Sequence, residues 1–493
     1  MHKLVLFCFC LIFQTDVLAS DFVQFEGPVK RIYNSILNLD FNYARDLLFC
    51  DTQQKTNYAY VLMANELDFF EIFISENLYL FNKRKSFKNL RLKKIKNSSL
   101  PVEWKSFLTS EVLLQWALLE LKMGSSLIAF TDFRKALTVL EETKQKYPHF
   151  MYTYKSLGVL HSLVGSIPDE FSWIKNLINL NGSISLGKKE TNLFLNYAKN
   201  NADLFYLEST AANALIISFL ENKPEEGYLF WKKSSEFCNL NPMSTFIEAR
   251  LAMKSFKNEE AIICLSLISE TKKEIFPYLF FMEGLTKLQQ LNGAAEIDFK
   301  KYLEHFHGNS YIKETYQKLS WCALLKSDLN LFKFYQSKIG MIGNTKTDED
   351  KKAQNDYLTN DIPDLILLKC RLLFDGGYAS RSLKLLETRI ATYYENPKLK
   401  TECAYRMGRI LQSKKEFNGA LLYFNDAIKF DVTYKTFYAS ASLLYSGQIW
   451  EIIGDFEKSC QAYRNTLKTH PQQFAHSIHQ KARAGIIRLG VCK

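Results

Sequence analysis

The sequence repeats one helical-hairpin motif twice in succession between Thr401 and Pro471. Gly408 of the first copy and Gly447 of the second lie 39 residues apart, and the residues around each glycine recur at the same offset. The recurring pairs are Ala404 with Leu443, Met407 with Ser446, Leu411 with Trp450, Phe417 with Phe456, Ala420 with Ser459, Phe424 with Tyr463 and Ala427 with Thr466. Small residues let two antiparallel helices approach, and aromatic residues fill the gap to the next hairpin. The pattern predicts a solenoid, in which one long array accommodates the whole chain.

The two copies resemble the tetratricopeptide repeat (TPR), which has a glycine on its first helix, a small-aromatic-small pattern on its second and a proline at its end. Their period is longer than the usual length of about 34 residues. Hydrophobic residues make up 47% of the chain and aromatic residues 14%, while glycine and proline are few, which suits long helices with aromatic contacts. We therefore predict an all-α fold, namely an α-solenoid of TPR-like helical hairpins.

Polar turns divide the chain at intervals that suit such hairpins. The predicted turns lie near Asp40, Gly124, Gly165, Lys223, Lys257, Gly293, Asp328, Gly376, Glu416 and Asp455. This regularity favours repeats over a compact enzyme core. Residues 340–362 are polar and lengthen one interval, so they are predicted to be a linker or insertion. The chain then divides into a first TPR-like array at residues 20–339 and a second at residues 363–493.

One stretch, residues 110–187, carries a more specific pattern. Its motif residues are Trp116, Phe133, Pro148, Tyr154, Gly158, Gly165, Pro168, Trp173, Asn181, Gly182 and Ser183. This pattern resembles the tetratricopeptide repeat protein 39 and inclusion-body-clearance family, and exported bacterial proteins of similar layout, over residues 30–480. The resemblance implies an all-helical repeat scaffold without chemistry of its own.

Residues 1–19 have the pattern of an export signal. His2 and Lys3 precede an apolar run from Leu4 to Phe13, and Val17-Leu18-Ala19 forms a small-residue cleavage site. The apolar run is too short to span a bilayer. The predicted location is therefore the bacterial periplasm or the exterior of the cell. A retained N-terminal anchor, with association to the envelope, is the alternative.

The cysteines outside the signal show no Cys-x-x-Cys spacing, which argues against a zinc site or a redox motif. They are Cys50, Cys238, Cys264, Cys322, Cys370, Cys403, Cys460 and Cys492. Most lie in apolar helical faces, which favours buried free thiols that pack as small hydrophobic groups. Because the number of cysteines is even and the chain is predicted to be exported, one or two disulfides are the alternative.

A net charge of +11 favours acidic partners, whether an anionic membrane surface, an anionic glycan or an acidic protein. Export argues against nucleic acid as a partner. The densest basic stretch consists of Lys83, Arg84, Lys85, Lys88, Arg91, Lys93, Lys94 and Lys96. The favoured interpretation of this basic patch is a solvated helix face, and docking on an anionic membrane surface is the alternative.

No arrangement of residues predicts an enzyme. The sequence has no Gly-rich phosphate loop, no Gly-x-Ser-x-Gly elbow and no His-Glu-x-x-His motif. His476 and His479 could share one helix face, but a single histidine pair without a matching carboxylate or thiol is more often polar surface. We predict a protein that is not an enzyme and that needs neither a metal nor another cofactor.

The predicted function is binding of a protein or another macromolecule through the concave surface that the first helices of the hairpins line. In the two copies, the candidate residues on this surface are Glu402, Tyr405, Arg409, Gln412, Leu444, Gln448 and Glu451. These positions lack the Lys and Asn pairs with which some TPR domains hold a peptide carboxylate. The alternatives are a lipid or small-hydrophobe carrier, which should show an apolar tunnel, and an envelope enzyme with a distributed site, which should show a deep polar pocket.

Overall fold

A computed structural model describes residues 20–50, 55–167, 181–236, 241–432 and 436–492. Helix accounts for 77% of the structure, and the only β feature in the described ranges is an isolated bridge between Phe22 and Asn57. The export signal predicted at residues 1–19 lies outside the described residues. None of the helices in the described part of the chain is long and apolar enough to cross a membrane. The all-α prediction is confirmed.

The first half of the chain forms thirteen helices within its described ranges, and one of them continues into a π-helical turn at Ile216–Leu220. They are Pro28–Leu37 (α1), Phe41–Cys50 (α2), Ala59–Ser75 (α3), Leu78–Lys96 (α4), Val102–Met123 (α5), Ser126–Lys146 (α6), Tyr152–Ser166 (α7), Ile184–Asn200 (α8), Tyr206–Leu215 (α9), Pro224–Ser235 (α10), Pro242–Lys254 (α11), Asn258–Ser266 (α12) and Glu270–Ile275 (α13).

The second half of the chain forms thirteen more helices among its described residues. They are Tyr278–Gln289 (α14), Ala295–His305 (α15), Ile312–Leu325 (α16), Leu329–Met341 (α17), Asp348–Thr359 (α18), Leu365–Asp375 (α19), Ala379–Glu387 (α20), Ile390–Glu395 (α21), Lys400–Ser413 (α22), Phe417–Phe430 (α23), Phe437–Ile453 (α24), Phe456–Leu467 (α25) and Ala475–Leu489 (α26).

Helices that follow one another in the chain pack together as hairpins, most extensively α5 with α6, α7 with α8, and α22 with α23. Nine of the ten predicted turns fall between helices. Gly165 instead lies in the last turn of α7, just before the undescribed residues 168–180. The hairpin register read from the sequence is therefore confirmed at nine positions.

The glycine on the first helix of a hairpin makes room for an aromatic ring on the second helix. A Cβ atom added to Gly408 would lie 2.5 Å from the Phe424 ring, and one added to Gly447 would lie 2.7 Å from the Tyr463 ring. Gly284 of α14 stands in the same relation to Phe299, again at 2.7 Å. Since no Cβ fits at that distance, the helices of these hairpins can approach this closely only with glycine.

The array coils so that residues more than 200 positions apart touch. The contacts are an ion pair of Asp40 with Lys272, hydrogen bonds from the backbone N–H groups of Asn309 and Ser310 to Glu76, and a hydrogen bond of 3.2 Å from Arg488 to the carbonyl oxygen of Glu221. Successive turns of the superhelix therefore contact one another.

Residues 340–362, which the sequence predicts to be a linker or insertion, are largely helical. Most of them belong to α18, which packs against α16. The side chain of Thr347 accepts a hydrogen bond from the backbone N–H of Asp350 and so caps the start of α18. The Asp350 carboxylate in turn accepts backbone hydrogen bonds from Tyr311 (2.7 Å) and Glu314 (3.0 Å) at the start of α16. A polar sequence folds here because its polar side chains cap helix ends.

Cys460 and Cys492 form a disulfide that ties α25 to the end of the chain. The preferred interpretation, buried free thiols, holds for Cys264, Cys322, Cys370 and Cys403. Cys50 is free and exposed, and Cys238 lies outside the described residues. The alternative of a disulfide is thus realised at one pair.

Candidate ligand-binding cavity

The inner side of the first superhelical turn holds a cavity of about 650 Å³. Its wall comes from α1, α3, α5, α7, α8, α9, the π-helical turn, α10 and α11, and it is largely apolar. Representative lining side chains are Phe69, Leu114, Val159, Leu215, Phe219 and Phe246. The volume lies within the usual range of small-molecule and anchor-residue pockets, and an apolar wall with a few polar groups is typical of such sites.

A buried polar cluster, in which only Glu208 is exposed to solvent, forms one part of this wall. Lys155 of α7 makes ion pairs with Glu111 of α5 (2.9 Å) and Glu208 of α9 (2.7 Å). The Tyr33 hydroxyl donates a hydrogen bond of 3.2 Å to Glu208. These contacts hold four helices in register around the cavity.

Glu66 of α3 belongs to the same cluster, and only 2% of its surface is exposed. Its Oε2 atom has no hydrogen-bond partner among the described residues. Burial, together with the nearby Glu208 carboxylate, raises the pKa of Glu66 well above its usual range. The carboxyl group is therefore held toward its protonated form, and its free oxygen is available to a ligand in the cavity.

Lys155 does not fit the role of a catalytic base. Burial opposes its charge, but the carboxylates of Glu111 and Glu208 outweigh burial and raise its pKa above the usual value. A lysine needs a lowered pKa to act as a base or nucleophile. The ion pairs of Lys155 thus position the helices, and the arrangement is suited to binding.

Arg250 of α11 lies on another part of the cavity wall. It donates a hydrogen bond of 3.1 Å to the Tyr278 hydroxyl, and its guanidinium lies 5.7 Å from the centre of the Phe219 ring. No carboxylate lies within ion-pair distance of Arg250 in the described part of the chain. Its charge is therefore held by aromatic faces, which attract cations more weakly than a carboxylate does.

The candidate concave residues of the second array have mixed environments. Tyr405, Arg409, Gln412 and Gln448 are half-buried, and Arg409 donates to the Tyr405 hydroxyl at 3.3 Å. Glu402 forms an ion pair with Arg406 on its own helix.

Two of these candidates are not available to a partner. Leu444 is only 1% exposed and belongs to the core. Glu451 binds Arg488 through both carboxylate oxygens, at 2.5 and 2.7 Å. The reason is that α26 packs back on α24 and covers this part of the face.

Three cations of the basic patch point inward. Arg84 and Arg91 both pair with Asp68 of α3, at 2.8 and 2.5 Å, while Lys88 pairs with Glu120 of α5 and Asp132 of α6. The favoured interpretation as a solvated helix face is wrong for these three residues. Those that remain exposed are Lys83, Lys85, Lys93, Lys94 and Lys96.

The cavity residues could not be identified from spacing, since they come from helices far apart in the chain. One signal was present: Glu66, Glu111 and Lys155 each lie in a helix that is rich in apolar residues. A charge in such a position must find a partner or a ligand when the helix packs.

Within the described ranges, no group of three His, Cys, Asp or Glu side chains is placed to hold a metal ion.

Comparison with known families identifies one helical repeat in the chain. The tetratricopeptide repeat family model matches residues 117–149, which fall in the α5–α6 hairpin. No curated protein matches the sequence. The crystal structure of yeast Tom70 is 13% identical over 94% of this chain and 88% of that chain, with a TM-score of 0.24. The structure of a monomeric mutant of IFIT1 with Gppp-AAAA is 12% identical over 89% of this chain and 96% of that chain, with a TM-score of 0.23. The likeness to the tetratricopeptide repeat protein 39 family stays a prediction.

Proposed function

We propose that this TPR-type helical-repeat protein is an exported binding protein that holds a partner protein through the inner surface of its superhelix. The observation that carries the proposal is the apolar cavity on that surface, because an apolar pocket flanked by polar groups is the usual receptor for an anchoring side chain of a partner. Repeat arrays commonly bind through extended concave surfaces of this kind.

Export is supported by two independent features. Residues 1–19 have the composition of a signal peptide, and Cys460 forms a disulfide with Cys492. Disulfides persist mainly in oxidising compartments such as the periplasm or the exterior. We propose the same location for the protein, where the exposed side chains of Lys83, Lys85, Lys93 and Lys96 face an anionic envelope surface.

A second candidate function is transport or storage of a small hydrophobic molecule. The volume and apolar wall of the cavity favour it, since both suit a ligand without a polypeptide backbone. An enzymatic role has less support, because the ion pairs of Lys155 leave it without the properties of a base.

Site-specific photocrosslinking tests the protein-binding proposal. A photoreactive residue replaces Val159 in the cavity or, as a control, the exposed Leu422 on α23, and the protein is irradiated in its native envelope. We expect a defined crosslinked protein from position 159 only. Ala212→Trp, which fills the cavity, should abolish the crosslink, whereas Ala391→Trp at an exposed site should not. Crosslinks that are identical at both positions, or insensitive to Ala212→Trp, would contradict the proposal.

The carrier alternative is tested on the same purified protein. Mass spectrometry of the native protein should detect a small hydrophobic molecule that Ala212→Trp removes and Ala391→Trp retains. Absence of any such molecule from the wild-type protein, together with a specific crosslink, would decide in favour of a protein partner.

A further inference from the structure

Four cations from distant parts of the chain interact electrostatically, and one of them, Arg250, lines the cavity. They are Arg250 and Lys254 of α11, Arg409 of α22 and Lys481 of α26. The electrostatic partners of Lys254 are Lys481, Arg250 and Arg409. Within the described residues, none of the four forms an ion pair with a carboxylate. We call these four residues the cation cluster. The Arg409 guanidinium lies 5.0 Å from the centre of the Phe374 ring, and that ring lies 5.5 Å from the ring of Phe256, just after α11. On the other side, Arg488 of α26 donates a hydrogen bond to the carbonyl oxygen of Glu221, close to Phe219.

Aromatic rings take the place of carboxylates around this cluster. The Arg409 guanidinium lies 3.6 Å from the centre of the Tyr445 ring, and its Nε atom has no hydrogen-bond partner among the described residues. Phe219 lies between Arg250 and Lys254, at 5.7 and 5.1 Å from their charged groups. Cation–π contacts recover only part of the free energy that a cation loses when it leaves water.

All four side chains are half-buried, so solvent compensates their charge only in part. Burial, reinforced by the three neighbouring cations, lowers the pKa of Lys254 to about 8. Burial and Arg409 lower the pKa of Lys481 to about 8. Repulsion of this kind within a fixed geometry is relieved by a bound anion, and perturbed pKa values cluster at functional sites.

The cation cluster continues into the apolar cavity. Phe219 and Arg250 line the cavity and also belong to the surroundings of the cluster. The buried polar cluster is electrostatically separate, because the charged groups that act on Glu66 are Glu208, Lys155 and Glu111. A ligand that spans both regions therefore meets an apolar wall and then a group of unpaired cations.

From this arrangement we propose that the cation cluster binds the anionic head of a single-chain amphiphile, a carboxylate or a phosphate monoester, whose apolar chain lies in the cavity. The proposal rests on the ligand-binding role of the cavity and specifies the carrier alternative. An extended peptide fits inside the cavity less well than a single apolar chain does, because each of its residues brings a backbone N–H and C=O that need partners, and the largely apolar wall offers few. A partner protein would therefore insert only a side chain. Arg250 and Arg409 suit either head group, since a guanidinium binds carboxylates and phosphates through paired hydrogen bonds.

Isothermal titration calorimetry of the delipidated full chain tests the proposal with four probes. Oleate and oleoyl lysophosphatidate carry anionic heads, monoolein has the same chain with a neutral head, and inorganic phosphate has no chain. We expect both anionic lipids to bind at least about tenfold more tightly than monoolein, and phosphate alone to bind more weakly than either. Comparison of the two anionic lipids distinguishes a carboxylate from a phosphate ligand.

Two sets of variants separate the head site from the cavity. Lys254→Gln with Lys481→Gln should weaken both anionic lipids at least about tenfold and leave monoolein within about twofold. The matched control Lys333→Gln with Lys429→Gln removes two exposed lysines and should change nothing. Ala212→Trp should abolish binding of all three lipids, and thermal melting checks that every variant is folded.

Each outcome of these experiments tests a different part of the proposal. Equal affinity for monoolein and the anionic lipids, or no effect of the Lys254 and Lys481 substitutions, overturns the anion site while leaving the cavity as a binding site. Phosphate binding as tight as that of the lysophosphatidate overturns the amphiphile in favour of a free anion. Failure of every lipid to bind overturns both the head site and the carrier function, and photocrosslinking then remains the separate test of a protein partner.

Discussion

The two charged regions on the inner surface differ in how their charges are balanced. Around Lys155, cation and carboxylates meet in one buried cluster, with ion pairs to Glu111 and Glu208. Around Lys254, four cations meet without a carboxylate in ion-pair distance among the described residues. The first arrangement stabilises helix packing by itself, and the second leaves free energy to be gained from a ligand. Paired charges therefore mark the scaffold of this solenoid, and unpaired charges mark its candidate binding site.

The largest effect should come from removing the paired lysine. Lys155→Met leaves the Glu111 carboxylate buried without its cation, which we expect to destabilise the fold by about 3–5 kcal/mol. Chemical denaturation followed by circular dichroism measures the change. A decrease in the free energy of unfolding below about 1 kcal/mol would show that the charges around Lys155 are no better balanced than those of the cation cluster. The two regions would then not differ in the way described above.

The unpaired lysines should behave in the opposite way. Lys254→Met combined with Lys481→Met removes repulsion and desolvated charge, so the free energy of unfolding of the ligand-free protein should rise by about 1–4 kcal/mol at pH 7. The same denaturation assay applies, with Lys333→Met and Lys429→Met as the exposed control pair. A destabilisation similar to that of Lys155→Met would mean that the two lysines have partners that stabilise them.

The stability gain of that double variant should depend on pH. Lys254 and Lys481 have pKa values of about 8 in the folded protein, against an ordinary value of 10.5. Between these values the unfolded chain binds more protons, so the wild-type protein gains stability as pH rises from about 8 to about 10.5. The difference in melting temperature between variant and wild type should be largest at pH 7 and shrink by pH 10. A constant difference would contradict the lowered pKa values.

The smallest effect is expected at Glu66. Because burial and Glu208 raise its pKa, the side chain is held toward its protonated form, and Glu66→Gln replaces one neutral group with another of the same shape. We expect a change in the free energy of unfolding within about 1 kcal/mol at pH 7. Glu111→Gln, which breaks an ion pair with Lys155, is the matched comparison and should cost more. An equal cost for both would show that Glu66 is charged in the folded protein.

The hairpins could be predicted from the sequence because their determinants are local. Gly408 and Phe424 are 16 positions apart, so one repeat contains both the gap and the ring that fills it. Turn residues such as Asp40 and Asp455 likewise act within a few residues of their own position. The helix α18 within residues 340–362 could not be predicted, because polar side chains such as Asp350 cap helix ends, a role that composition does not reveal.

The candidate site could not be predicted, because it depends on how the superhelix coils. Leu444 and Glu451 were assigned to an open face from the repeat pattern, but α26 returns to cover them. Arg409 was assigned to the same face, but its repeat could not reveal its electrostatic link to Lys481 and Arg250, which are 72 and 159 positions away in the chain. A repeat motif specifies contacts between adjacent hairpins only. The small rotations between hairpins accumulate along the array, so the residues that meet across the superhelix cannot be identified from any local pattern.

The contacts between superhelical turns bear on how the molecule unfolds. A repeat array normally behaves as a one-dimensional chain of neighbours, so that it can fray from an end or break in the middle. Here Asp40 and Lys272, and likewise Glu221 and Arg488, bind across more than 200 residues. Such distant pairings raise the contact order and slow folding, because long loops must close before the contacts form. Because of these pairings, loss of an end helix also destabilises hairpins far away in the chain. The array should therefore unfold cooperatively, as a globular domain does.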